Sequence, residues 1–376
     1  MKVLYLVSWY KRPGSPTSGY FFYQLAKGIS QYADEVVVAC VHLKFIGIID
    51  HIGLTIHKEN NLTEYMLYVP MLIPRWQWLY NICGRLAMKH LLGKLEEKYG
   101  KFDIIHVQSA FSAALYAEEY LENNETPVVY TEHSSAVLND RLNRYGLEAL
   151  KVMARRADVR VAVSNVLAEK LMKYVTDVKV IGNMVDIGGV SQRSERFTFV
   201  CLSTLRADKG LKELVTAFAE EFDAHMPVTL LLGGEGEYRR DLETLIRQIA
   251  PSHDIQLHGH IPHEDVSSFL QKGHCFVLPS RYETFGIVYI EAMACGLPVI
   301  ATKCGGPEEY VNETNGILVD VGNQEQLRKA MRWMYKNIQL YDANRIATDI
   351  EVKFSERSIC EQYYACYQNL LREKQK

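Results

Sequence analysis

The feature that most constrains this chain is a repeated alternation. Short Val- and Ile-rich runs, apolar on both faces, recur with helix-like segments between them. In the first half these runs lie at 3–9, 35–42, 102–108, 127–133, 159–165 and 178–183; in the second, at 197–204, 227–234, 254–260, 275–280, 298–302 and 316–320. Runs of this length without polar alternation are the pattern of strands buried on both faces, as in a parallel sheet covered by helices. Two such series predict two α/β domains, each a doubly wound parallel sheet, facing each other across a ligand cleft. The 376 residues suit two domains rather than one.

The Gly-, Ser- and charge-rich stretch MVDIGGVSQRSER (184–196) reads as the linker. It divides the chain into an N-terminal domain over 1–190 and a C-terminal domain over 191–354. A last helical segment at about 355–373 follows, and the sequence leaves open which domain it packs on. Residues 43–95 are less regular. Their second part carries Trp76, Trp78 and Tyr80 among Arg75, Arg85, Lys89 and Lys94. It reads either as a surface for anionic lipid over 66–94 or as a core-packed helix with a solvated basic face.

Composition excludes several classes. With 48% hydrophobic and 23% charged residues and a net charge of −3, the chain has neither a disordered composition nor the positive field that holds nucleic acid. No stretch reaches the ~20 apolar residues of a membrane span; the nearest, 66–74, is short and holds two prolines. The apolar start reads as a first buried strand rather than a signal peptide, because Lys11-Arg12-Pro13 follows without a small-residue cleavage site. The eight cysteines form no C-x-x-C pair, and several sit in apolar runs, which predicts reduced thiols and a cytoplasmic location. His258-Gly259-His260 has no Cys or Asp cluster beside it and reads as structural. No Asp-x-Asp occurs, so no metal and no cofactor are expected.

The chemistry concentrates in 279–309, PSRYETFGIVYIEAMACGLPVIATKCGGPEE. A strand ends at Pro279-Ser280 and a helix is expected from about Phe285-Gly286. Glu283 then precedes the helix and Glu291 lies about two turns along it, roughly 12 Å away along the axis. This spacing suits two ends of one extended ligand rather than a proton-sharing pair. The amides of Thr284, Phe285 and Gly286 are candidates for meeting an anionic or hydroxyl-rich group, and Gly286 would let it approach the backbone.

This stretch strongly resembles the signature of the retaining GT-B glycosyltransferases of family 4. The likeness continues through Gly305-Gly306, Glu309, the GILV run, LLLGGEGEYRRDLE and VIGNMVD, and covers nearly the whole chain, more loosely over 43–95. It implies a GT-B fold and transfer of a sugar from a nucleotide-sugar, with UDP the expected nucleotide, to an acceptor hydroxyl. Polysaccharide or surface-glycan synthesis on a glycan or lipid-linked acceptor is the implied setting. By the same resemblance Glu291 would bind the ribose, Glu283 the transferred sugar and Lys209 the diphosphate. The family's arginine five positions before that lysine is Thr204 here; Arg206 is the candidate replacement, or faces solvent beside Asp208. Gly19, after Pro13, Gly14, Pro16 and Ser18, would lie near the donor phosphates, and His133 near the sugar. Ser164 and Asn165 are weaker candidates, since Ser and Asn there also suit a plain helix cap. An epimerase or a non-catalytic nucleotide-sugar binder on the same fold are the alternatives; a phosphorylase would need a longer chain and a pyridoxal-phosphate lysine.

Overall fold

The computed structural model describes residues 1–11, 18–45, 52–72, 76–190 and 195–374. Two compact units emerge: Met1–Met184 with Ile359–Lys376, and Val185–Ser358.

The first unit holds an eight-stranded sheet ordered β3-β4-β2-β1-β5-β6-β7-β8. Its strands are β1 (Lys2–Val7), β2 (Glu35–Phe45), β3 (Gly53–Glu59), β4 (Leu62–Met71), β5 (Ile104–Gln108), β6 (Val128–Glu132), β7 (Val159–Ala162) and β8 (Val178–Val180). Its helices are α1 (Tyr20–Ile29), α2 (Gln77–Tyr99), α3 (Phe111–Tyr116), α4 (Glu118–Asn123), α5 (Ser135–Leu138), α6 (Arg144–Arg156) and α7 (Asn165–Leu171). Every pairing is parallel except β3 with β4. Val3 to Leu6 in β1 and Ile104 to Ile105 in β5 are fully buried, as two-sided burial requires. Ser164 accepts from the Leu167 amide at 3.2 Å and so serves as the cap of α7.

The second unit holds a wholly parallel sheet, β11-β10-β9-β12-β13-β14. Its strands are β9 (Phe197–Leu202), β10 (Val228–Gly233), β11 (Ile255–Gly259), β12 (Cys275–Leu278), β13 (Val299–Thr302) and β14 (Gly316–Val319). The helices are α8 (Leu211–Glu221), α9 (Arg239–Ile249), α10 (Val266–Leu270), α11 (Ile287–Ala294), α12 (Gln324–Asn337) and α13 (Ala343–Phe354). The architecture is that of GT-B: two Rossmann-like α/β sheets, one per unit.

The last helix, α14 (Glu356–Lys374), supplies the C-terminal part of the first unit. Ile359, Cys360, Tyr363, Cys366, Tyr367 and Leu370 form its buried stripe at helical spacing. Two tyrosines on that stripe carry hydroxyls into the interior and require partners there.

The irregular region 43–95 becomes a hairpin and a long helix. β3 and β4 meet across Asn60, which has φ 53°, a conformation asparagine tolerates in tight hairpin turns. β3 is an edge strand with its middle exposed, so it lacks the two-sided apolar pattern that marks the others. The apolar run near 66–74 is largely strand β4, not a membrane-directed helix. α2 buries Gly84, Met88, Leu91, Leu92 and Leu95, yet Trp76, Trp78, Ile82 and Leu86 face outward. Arg85 and Lys89 are paired with Glu118 and Glu119. The helix is therefore core-packed along one face and apolar along part of its exposed one. Arg75, Arg12, Pro13, Gly14, Pro16 and 191–194 of the linker lie outside the described residues. All eight cysteines are free, and six of them are buried. Among the described residues no helix is long and apolar enough to cross a membrane.

Candidate functional site

In a doubly wound sheet, ligands bind at the carboxyl ends of the strands where the order reverses. In the second unit that point lies between β9 and β12. The segment leaving β9 ends in a 3-10 turn, Ala207–Lys209, and the segment leaving β12 carries Glu283. Gly210 brings them together. Its φ is 67°, and a Cβ there would lie 2.1 Å from the Pro279 carbonyl oxygen, so only glycine allows the approach. Lys209 Nζ then sits 2.7 Å from Glu283 Oε1, and the buried Ser280 hydroxyl donates to the same oxygen at 2.8 Å. The two side chains are only 17% and 12% exposed, so solvent screens the pair weakly.

Glu283 is not part of a helical turn. It forms an isolated parallel bridge with Gly305, its amide bonded to Cys304 O and its carbonyl to the Gly306 amide. α11 begins only at Ile287, with Gly286 in the left-handed region at φ 83°. Glu291 is therefore about one turn into the helix, not two, and the 12 Å axial spacing does not apply, because 283–286 are not helical. Gly286 has an internal reason to be glycine: a Cβ would meet the Tyr289 ring at 2.8 Å and the Tyr310 hydroxyl at 2.9 Å. That hydroxyl donates to the carbonyls of Phe285 and Gly286, at 2.6 and 3.0 Å. Phe285 is buried against Tyr310 and Phe354, while Thr284 sits in the bend before the helix.

Burial pushes the Glu291 carboxyl up to about 7; nearby His263 lowers it and Asp186 raises it. His263 Nε2 lies 3.0 Å from Asp186, which raises the imidazole above its ordinary value. Neither residue is singled out by the sequence: Asp186 ends the VIGNMVD segment at the start of the stretch read as linker, and His263 lies beside a proline turn. Arg206 does not join Lys209. Its guanidinium binds both carboxylate oxygens of Asp208, at 2.9 and 3.0 Å, and reaches Tyr282 at 3.3 Å, with half its side chain exposed.

The first unit has its own switch point, between β1 and β5. Gly19 caps α1 at φ 69°, and a Cβ there would come within 3.0 Å of the Tyr10 backbone. α1 then sets Phe21 and Phe22 against the ring of His133, at 4.8 and 5.0 Å between centroids. His133 is the first residue beyond β6. The buried Glu132 carboxylate fixes the turn, accepting the amides of His133, Ser134 and Ala110 at 2.8, 2.9 and 3.3 Å and the Tyr130 hydroxyl. His133 Nε2 is 2.8 Å from Gln108 Oε1 at the end of β5. Burial lowers the imidazole to about 3, against an upward pull from Asn183, and so favours the neutral ring. The sequence motifs omit Glu132 and Gln108, which look like ordinary strand-end residues.

Among the described residues no group of three or more His, Cys, Asp or Glu side chains is placed to hold a metal.

Residues 19–188 match the family described as Glycosyltransferase Family 4, and residues 188–347 match Glycosyl transferases group 1. The chain is 27% identical to N-acetyl-alpha-D-glucosaminyl L-malate synthase of Bacillus anthracis, over 72% of this chain and 76% of that protein. Among solved structures, sucrose-phosphate synthase from Thermosynechococcus elongatus superposes with a TM-score of 0.82 at 19% identity, over 99% of this chain and 100% of the other. The Anabaena protein HepE in complex with UDP-glucose gives 0.72 at 20% identity, over 98% and 100%. Two adjoining family matches that together run from residue 19 to residue 347, on this architecture, make the chain a GT-B-fold relative of the family 4 and group 1 glycosyltransferases.

Proposed function

We propose that the protein transfers a sugar from a nucleotide-sugar, with UDP as the nucleotide, to an acceptor hydroxyl with retention of configuration. The observation that carries this reading is the Lys209–Glu283 pair at the switch point of the second unit. With no donor present, each is the other's ion-pair partner. A diphosphate competes for Lys209 and frees Glu283 to accept hydrogen bonds from sugar hydroxyls, aided by the backbone of Thr284, Phe285 and Gly286. Glu291 accepts from the ribose. Arg206 adds a second positive charge when a diphosphate draws it from Asp208. His133 and Gly19 serve the sugar and phosphates from the first unit.

No carboxylate is placed as an obvious nucleophile, which favours attack from the same face. The anomeric carbon–phosphate oxygen bond breaks and the anomeric carbon–acceptor oxygen bond forms. The leaving phosphate takes the acceptor proton, and Lys209 stabilises its growing charge without a metal. HepE with UDP-glucose and the N-acetylglucosaminyl relative support a nucleotide-sugar donor. Calorimetric titration with UDP-, GDP- and ADP-sugars, without metal, tests it. Micromolar binding to one nucleotide class, lost in Glu291→Ala, is expected; binding to none defeats the reading. Turnover of donor without an acceptor would instead mark an epimerase.

A lipid-linked acceptor at the inner face of the membrane, in polysaccharide or surface-glycan synthesis, is the setting we favour. Trp78, Ile82 and Leu86 repeat every fourth residue on the exposed face of α2, 54%, 46% and 64% exposed, with Trp76 and Leu72 beside them. Flotation with anionic liposomes tests this: wild type rises with the vesicles and Trp78→Ser/Leu86→Ser does not, whereas no flotation of wild type points to a soluble acceptor.

A further inference from the structure

The interior of the first unit contains a hydrogen-bonded chain of neutral side chains that ends at His133. It starts on α14. Tyr367 OH lies 3.0 Å from Tyr5 OH and 2.6 Å from His106 Nδ1. His106 Nε2 lies 2.8 Å from Thr131 Oγ1 and 3.1 Å from Gln108 Nε2. Tyr363 OH reaches Thr131 Oγ1 at 3.2 Å. The far end of the Gln108 amide, Oε1, meets His133 Nε2. His106, Gln108 and Thr131 have no exposed surface.

We propose that Gln108 is the positioning residue for His133, its amide held in one orientation by His106 and the α14 tyrosines, so that His133 is fixed as the Nε2–H tautomer with Nδ1 as its lone-pair atom. The proposal rests on the reading of His133 as a residue of the site.

The argument is one of donors and acceptors. A glutamine amide donates at one end and accepts at the other, so it ties the tautomers of two histidines together. With its NH2 toward His106, that ring must offer a lone pair at Nε2 and donate from Nδ1–H to Tyr367. Tyr367 then donates to Tyr5, while Tyr363 donates to Thr131 and Thr131 to His106. Gln108 and Thr131 then share the single lone pair of His106 Nε2, and His133 is left to donate from Nε2. Its Nδ1 is buried with no hydrogen bond closed to it, although the Asn183 side chain lies near enough to pull the ring upward, and a lone pair there costs less than an N–H. The opposite amide orientation would reverse every assignment and place a buried N–H on His133 with only the Asn183 side chain to meet it.

The backbone supports the same purpose. Ser109, directly after Gln108, has φ 59° without being glycine, and its buried hydroxyl has no partner. Such a turn is retained where a neighbour must be aimed; here it ends β5 at Gln108. Glu132 immobilises the backbone on the other side of the contact.

Nitrogen NMR of 15N-histidine-labelled protein reads the tautomer directly, with His133→Asn giving the assignment. A His133 ring protonated at Nε2 and unchanged from pH 5 to 8 is expected. Protonation at Nδ1, or titration in that range, overturns the proposal. Gln108→Met, similar in length without donor or acceptor, should mix the tautomers and lower kcat about ten-fold with little change in donor KM; an unchanged tautomer overturns it. Gln108→Glu should bring His133 titration into the observed range, and a ring that stays neutral there counts against it. Tyr367→Phe, at the far end, should shift the His106 Nδ1 signal and lower kcat less. Because the NMR needs no turnover, failure of the site reading, seen as full activity in His133→Ala, is distinguishable from failure of the tautomer assignment.

Discussion

The two units present their switch points with opposite chemistry. In the second, Lys209 with Glu283, Arg206 with Asp208 and His263 with Asp186 form pairs in the connecting segments, and the titratable Glu291 stands on α11 near the last of them. In the first, His133 is neutral and held by an amide, and the residues behind it are hydroxyls and a second neutral imidazole. A charged cluster can meet a diphosphate and exchange partners with it. A neutral network cannot neutralise charge, but it can hold one ring to one geometry, since each link has a single satisfactory arrangement.

The largest expected effect breaks the charged side of this contrast. Lys209→Ala leaves Glu283 with only the Ser280 hydroxyl and removes the cation facing the leaving group, so kcat/KM should fall about 10²–10³-fold in steady-state assays with the preferred donor. A loss under about five-fold would mean the diphosphate is neutralised elsewhere.

Next is the pH dependence. Glu291 is raised to about 7, so in the proposed ribose-binding role it would accept hydroxyls fully only above that value. Donor affinity by calorimetry should strengthen as pH rises through about 7 and be flat in Glu291→Gln.

Stability should sharpen the same comparison with opposite signs. A carboxyl whose folded value is raised holds its proton longer in the folded state, so its contribution declines as pH rises from its ordinary range to about 7. Glu291→Gln should therefore raise stability at pH 8 by about 1–2 kcal/mol, read as a higher Tm, after discounting for its partial exposure. His133 and His106 are lowered in the folded state, so the unfolded chain takes up protons first as pH falls below the ordinary histidine range. Replacing His133 by Asn should flatten the Tm loss between about pH 6 and 4.

The smallest effect is on the exposed pair. Arg206→Ala should change stability by less than about 1 kcal/mol by denaturant titration. It should reduce turnover less than Lys209→Ala does. No reduction at all would mean that Arg206 stays with Asp208 when the donor binds.

Much of this was legible beforehand, because burial on both faces of a strand leaves a local mark. All twelve apolar runs are strands, and Glu283, Glu291 and Lys209 carry a motif long enough to stand out. The two strands that escaped notice, β3 and β4, pair at the edge of the sheet, where β3 keeps a face in water and the apolar run of β4 reaches into the proline-interrupted segment.

Local pattern could not give the rest. Helical rise applied across 283–286 misplaces Glu291, because the bridge from Glu283 to Gly305 is a contact across 22 residues. Likewise the sequence sets Arg206 three residues before Lys209 without showing that Asp208 holds its guanidinium. The sequence by itself determined two parallel-sheet units and a glycine-marked loop bearing a lysine and two glutamates. Only the tertiary structure decided that Lys209 meets Glu283, that Asp186 and His263 surround Glu291, and that Tyr367, His106 and Gln108 line up behind His133. Periodicity records which face of an element is buried; hydrogen bonds between residues on different elements, 25 to 261 positions apart here, depend on strand order and register, which no single stretch of chain contains.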